Sequence, residues 1–282
     1  MQEQRAPRAC ANCDGTGVLI TPLGSAATAS ICACSQRCAV CKNARYLFER
    51  DSAGREIARM CVCEQRRVRA RLYNEANVPA KFYAARLRQE QRDAGNFDAF
   101  NSFWLLAKDF ERDSKGLVLM GAPGTGKTHL AAALVHELIF RHGVPTLFQD
   151  FSDLLKRLRS GYARDEPEEA LIDPLIHVDV LVVDELGKGR NTPWEQTVLD
   201  MIISHRYNNR KTSIFTTNFT ESRETTLSER VRTKERPDED RELRDTLRDR
   251  VGSRIFSRLK EMCDFIVLKG ADRRERLEAV GG

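Results

Sequence analysis

Apolar residues in the second half of the chain fall into two kinds of run. Leu117–Met120 and Val180–Val183 are short and unbroken, as in strands buried on both faces, and Ser213–Thr217 reads as a further strand. Around them, residues 129–140 (HLAAALVHELIF) and 151–162 (FSDLLKRLRSGY) carry helical periodicity, and Thr146–Phe148 adds a short strand. Strands alternating with helices predict an α/β domain with a mainly parallel sheet and right-handed crossovers. Upstream, residues 96–116 predict a helix with Phe100, Phe103, Leu106 and Phe110 roughly on one side, a stripe that belongs in a core.

The first hundred residues are patterned differently. Residues 45–60 (RYLFERDSAGREIARM) read as two strand-like arms around a turn at Ser52-Ala53-Gly54. From Glu64 to about Asn101 the chain is basic, and Pro79 interrupts its helical pattern. Arg66, Arg67, Arg69 and Arg71 fit either a solvated helix face or phosphate contacts.

Length and charge narrow this picture only slightly. With 282 residues, 41% of them hydrophobic, the chain can bury one substantial core beside a smaller module. The expected division is a cysteine-rich region at 1–65, a basic helical connector at 66–101 and the α/β domain at 102–282. A net charge of +5 permits a nucleic-acid partner without demanding one. No run approaches eighteen apolar residues, and the N-terminus lacks the apolar segment of a signal peptide, so a soluble cytoplasmic protein without a membrane partner is expected.

The cysteines change the picture more. Cys10 and Cys13 with Cys32 and Cys34, then Cys38 and Cys41 with Cys61 and Cys63, spell C-x2-C and C-x-C twice, offset by 28 or 29 residues. Four thiolates per unit satisfy tetrahedral Zn²⁺ and leave no open position, which marks two structural zinc ribbons. Metal binding would supply the folding free energy that so short a segment lacks. An iron–sulfur cluster, a redox switch, and a single metal shared by Cys32, Cys34, Cys38 and Cys41 stay open at this level. Cys263 stands outside both sets as a buried thiol, and none of the five histidines, His129 included, has ligand spacing.

Between the strand at Leu117–Met120 and the following helix lie Gly121, Ala122, Pro123, Gly124, Thr125, Gly126, Lys127 and Thr128, matching G-x-x-x-x-G-K-[ST]. Glycines let backbone N–H groups curl around phosphates, and the helix N-terminus adds partial positive charge. Lys127 then reaches the β and γ phosphates of ATP while the Thr128 hydroxyl holds Mg²⁺. The strand at Val180–Val183 ends in Asp184 and Glu185, suited to holding Mg²⁺ and to taking a proton from water. Asn218 follows the next strand, where a polar side chain can position that water. Arg250, Arg254 and Arg258, spaced i, i+4 and i+8, form either a surface stripe or a set that enters a neighbouring subunit.

From about Val78 to Gly270 these residues resemble the AAA+ ATPases of the bacterial replicative-helicase loaders (DnaC and DnaI) and the related insertion-sequence ATPase IstB. The resemblance rests on GAPGTGKTHLAAAL, VLVVDELG, WEQTVLDMIISHRYNNRKTSIFTTNF and VGSRIFSRL, in that order. It implies Lys127 and Thr128 as the Walker A pair, Asp184 and Glu185 as Walker B, Asn218 as sensor 1, and Arg258 as arginine finger with Arg254 one turn before it. It also implies ATP hydrolysis, self-association on ATP binding, a DnaB-type helicase partner, and single-stranded DNA met by Lys156, Arg157 and Arg159. An IstB-like transposition helper binding duplex DNA, and a zinc-ribbon adaptor with little turnover, are the alternatives. The sequence departs from the pattern in its eight paired cysteines, in the charged insert at 221–249, and in the few residues after Leu268. These last imply a reduced lid, with Arg273 and Arg274 as weak substitutes for a second sensor.

Overall fold

The computed structural model describes residues 10–13, 15–89, 92–93, 95–221, 245–270 and 272–273. Most of the charged insert (222–244) and the segment 274–282, on which Arg274 and most of the lid expectation fall, lie outside them. Two antiparallel hairpins come first, β1 (Val18–Leu23) with β2 (Ala26–Ile31) and β3 (Tyr46–Arg50) with β4 (Glu56–Met60). The helices α1 (Val62–Glu75) and α2 (Phe97–Lys108) lead into β5 (Gly116–Met120), α3 (Lys127–Glu137), β6 (Thr146–Asp150), α4 (Phe151–Tyr162) and α5 (Glu168–His177). Then follow β7 (Val180–Asp184), α6 (Pro193–Asn208), β8 (Thr212–Thr217), α7 (Leu247–Val251), α8 (Ser253–Met262) and β9 (Cys263–Val267).

Strands β5 to β9 form one sheet in the order β6-β7-β8-β5-β9, and every described pairing is parallel. Successive residues of a strand face opposite sides of a sheet, so each of these strands feeds two cores. Leu117, Leu119, Val180, Val182 and Ile214 pack with α2 and α3, whereas Val118, Met120, Leu181, Val183 and Phe215 pack with α4, α5, α6 and α8. This is why β5 and β7 lack polar alternation: both faces are covered. The largest fully buried side chain is a charged one, Arg206. Its guanidinium donates to the carbonyls of Leu175 and Val178 at 2.9 Å and to Ser213 Oγ at 2.8 Å, tying α6 to its neighbours. Burial pulls its pKa down to about 9, which leaves it charged at neutral pH.

The basic connector is not a free solvated helix. Arginines line part of α1, but Ala70 and Tyr73 are buried, and Val18, Ala27 and Ala29 of the first hairpin join the same cluster as α3. Asn74 stands in for a strand partner, accepting from Ala29 N at 2.6 Å and donating to Ala29 O at 3.1 Å. Beyond α1, Ala76 O accepts from Phe148 N on edge strand β6 at 2.7 Å, and Pro79 bridges Ala26. The first hairpin is thereby built into the core beneath the five-stranded sheet. The second hairpin has its own small cluster of Cys41, Cys61 and Cys63 with Cys38 and Leu47 around it. Its register sets Tyr46 against Met60 and Phe48 against Ala58, so these four share one face, with Phe48 68% exposed.

One expectation fails in the arginine row. Gly252 adopts φ 85° and separates α7 from α8, so Arg250 does not continue the face that carries Arg254 and Arg258. Phe110 likewise falls outside α2, which ends at Lys108.

Candidate nucleotide site and metal centres

The parallel order brings the ends of β5, β7 and β8 side by side, and the polar residues just past each strand meet there. Residues 121–126 loop from β5 into α3, with Gly126 in a left-handed conformation as the residue before the helix. Lys127 Nζ donates to the carbonyls of Gly121 and Ala122, each at 2.8 Å, so the loop curls around its own lysine. Thr125 Oγ1 closes the curve by donating to Ala122 O at 2.8 Å. Gly124 takes φ 78°, and a methyl group there would sit 2.0 Å from the carboxylate carbon of Asp272. Arg273 N donates to Gly124 O at 2.9 Å and its guanidinium pairs with Asp93, so the segment after β9 lies across the loop.

Opposite the loop, Asp184 Oδ1 accepts from Thr128 Oγ1 at 3.0 Å and from Thr216 Oγ1. Burial pushes the Asp184 carboxyl up, and these two hydroxyls pull it partly back. Thr128 and Asp184 together offer the oxygen ligands that a hard divalent cation such as Mg²⁺ would take. Glu185 sits beyond the strand at φ 57°, its N donating to Thr216 Oγ1 at 3.1 Å, and its carboxylate pairs with Lys188. Asn218 is exposed immediately after β8. The loop, Thr128, Asp184, Glu185 and Asn218 are thus gathered at one edge of the sheet. His129, next to the loop, has its pKa lowered by burial and by the nearby Arg273.

Arg258 and Arg254 lie elsewhere, on α8, both facing Asp200 of α6 at 2.7 Å and 3.8 Å. Arg250 turns inward instead, donating to Gly187 O at 3.0 Å and to Gly189 O, which pins the turn after Glu185. On α4, Lys156 pairs with Asp153 at 2.8 Å, and Arg159 with the buried Glu195 at 2.7 Å while stacking on Trp194. Arg157 remains exposed on the same helix. Sequence reasoning missed Thr216, Lys188 and Asp272. Thr216 alone had a signal, as a hydroxyl one residue from the end of a strand neighbouring β7.

The cysteines gather as the consecutive pairing requires: Cys10, Cys13, Cys32 and Cys34 in one set and Cys38, Cys41, Cys61 and Cys63 in the other, each within 4.8 Å. This excludes a site shared by Cys32, Cys34, Cys38 and Cys41. Four thiolates at about 2.3 Å from a tetrahedral zinc stand about 3.8 Å apart. Two Sγ···Sγ separations in each set match, at 3.8 and 3.5 Å in the first and 3.7 and 3.5 Å in the second. The Cys41 backbone N–H holds Cys38 down at about 7, while burial pushes Cys63 up to about 12. Four sulfurs gathered in this way fit a cation that takes all four as thiolates. Cys263 is buried away from both sets, its thiol pushed up by burial.

Comparison with known proteins follows the same outline. A family described as IstB-like ATP binding protein matches residues 51–232. The replicative helicase loader DnaC of Escherichia coli (strain K12) is 30% identical over 139 residues, 49% of this chain and 56% of the relative. The chain thus spans about half the length of that relative. The phage-like element PBSX protein XkdC of Bacillus subtilis (strain 168) is 28% identical over 86% of this chain and 87% of the relative. A crystal structure of the DnaC helicase loader superposes with a TM-score of 0.55 at 29% identity, covering 67% of this chain and 99% of that one. A crystal structure of DnaI shares the fold with a TM-score of 0.51 at 23% identity, covering 70% of this chain and 94% of that one.

Proposed function

This chain belongs to the family of IstB-like ATP-binding proteins, and we propose that it is an ATP-dependent loader of a replicative DNA helicase of the DnaB type. The loop amides and Lys127 hold the phosphates of ATP, with Thr128 and Asp184 holding Mg²⁺. Glu185 takes the proton of the attacking water and Asn218 orients it. Magnesium, when bound, offsets phosphate charge. Arg258, with Arg254 one turn before it, completes the site of the next subunit, so hydrolysis to ADP and phosphate is slow in a lone chain and rises with self-association or single-stranded DNA. Lys156, Arg157 and Arg159 meet the DNA backbone, an unspecific contact. Two zinc ions hold the ribbons, and the exposed Tyr46, Phe48 and Met60 give the second ribbon a face for the helicase.

The observation that carries this reading is the hydrogen-bonded row Thr128–Asp184–Thr216, which joins the first turn of α3 to the ends of β7 and β8 directly beside the phosphate loop. The likeness to DnaC over nearly all of its solved structure supports loading over other uses of such a site. Three measurements on the full chain test it: ATP binding, ATP hydrolysis with and without single-stranded DNA, and capture of the host's replicative helicase. Lys127→Ala is expected to lose nucleotide binding, and Glu185→Gln to bind ATP without cleaving it. A parental chain that neither hydrolyses ATP with any polynucleotide nor captures the helicase overturns the reading.

The family match itself favours a second reading, an IstB-like transposition helper. Preference for duplex over single-stranded DNA decides for it. An adaptor that turns little over is the third, and full function in Glu185→Gln decides for that.

A further inference from the structure

The turn that carries Glu185 also carries a cation aimed back at it. Lys188 Nζ pairs with Glu185 Oε2, three residues earlier in the chain. The backbone is shaped for this contact. Glu185 at φ 57° and Gly187 at φ 86° fold the segment back on itself, and Lys188 N donates to Glu185 O at 3.0 Å. Two other elements hold the turn: Ser152 Oγ of α4 donates to Lys188 O, and Arg250 Nε of α7 to Gly187 O, both at 3.0 Å. Asp150 and Asp184 add their charge to that of Glu185 around the ammonium and favour its protonated form.

We propose that Lys188 is a positioning residue that restrains the general base, so that ATP turnover requires the Glu185–Lys188 pair to open. This rests on the reading of Glu185 as that base. A carboxylate accepts a proton from water through a free lone pair, and an ammonium bonded to its oxygen occupies one. Nothing else on the turn needs this cation. The phosphate-facing role already belongs to Lys127, and the fold of residues 185–189 is held by Ser152, Thr216, Thr217 and Arg250.

The strength of the restraint follows from its exposure. The Lys188 side chain is 59% exposed and that of Glu185 32%. Pairs so open to solvent hold their partners by a factor of about two to five in population. Lys188 therefore slows the resting enzyme modestly and yields easily when partners assemble the site.

The test uses the full chain, without DNA or helicase. Lys188→Met, which keeps the length and removes the charge, is expected to raise kcat for ATP about two- to five-fold with KM unchanged, and Lys188→Arg to restore the parental rate. Equilibrium ATP binding by Lys188→Met in a Glu185→Gln background is expected to equal that of Glu185→Gln alone. An unchanged or reduced kcat in Lys188→Met, with Glu185→Gln inactive, overturns the restraint while leaving the base in place. Hydrolysis by Glu185→Gln at the parental rate removes both.

Discussion

Arg258 donates to Asp200 Oδ1 at 2.7 Å and to Ser204 within its own chain, whereas Arg254, one turn earlier, is 74% exposed and only 3.8 Å from the same carboxylate. A guanidinium that serves a neighbouring subunit must leave such a partner, and the two arginines differ in how much they must give up. Arg258→Ala is expected to lower the concentration-dependent part of ATP turnover on the order of 10³-fold. Asp200→Asn breaks the same pair but keeps the arginine, and should retain turnover. Steady-state hydrolysis against protein concentration checks both, and equal losses in the two variants would assign Arg258 a purely structural place.

Tyr73 is 1% exposed, between the ribbon side and the phosphate-loop helix. Tyr73→Ala should cost about 3–5 kcal/mol and lower Tm on the order of 10 °C, although the residue touches nothing in the nucleotide site. A chain beginning at Lys81 removes α1 altogether and should be less stable still. Removing 38–60 alone should leave the ATPase transition in place, as calorimetry of the three proteins would show.

His136 packs against Tyr73 and Phe140, and burial lowers its pKa below the usual histidine value. The folded state therefore binds fewer protons than the unfolded chain, and the stability this confers is present above about pH 6.5 and lost as pH falls toward the lowered value. Thermal unfolding between pH 7.5 and 5 should show this decline, and His136→Gln should flatten it. An unchanged slope in the variant would exclude His136 as its source.

Zinc should leave in two stages. The first ribbon is braced by Val18, Ala27 and Ala29 in the main core, whereas the second has only its cysteines and Leu47. Metal supplies more of the folding free energy where the protein supplies less, so a chelator should take the second ion first. Native mass spectrometry should show a one-zinc species that Cys41→Ser populates from the outset; simultaneous loss of both ions would contradict it.

Much of the site was legible because its chemistry is spelled locally. A glycine loop between a strand and a helix, and an acid pair ending an apolar run, each need only a dozen residues to declare themselves, and the structure brings them to one sheet edge. The DSAG turn similarly announces the β3–β4 hairpin. The rest depends on contacts distant in the chain. Phe148 N meets Ala76 O across 71 intervening positions, which no periodicity in α1 reveals. Glu195 reaches back to Arg159, so an arginine that the resemblance assigns to DNA is half spoken for. The i, i+4, i+8 spacing of the arginines gives no sign of the break that Gly252 makes at φ 85°.

Since Tyr73 of α1 and His136 of α3 touch edge to face, with ring centroids 6.4 Å apart, the first ribbon and the phosphate-loop helix share one rigid joint. A protein that seized the amino-terminal end would therefore hold a crank handle rather than a tether. Turning it would require Tyr73 to slide against His136, on the helix that also carries Lys127 and Thr128.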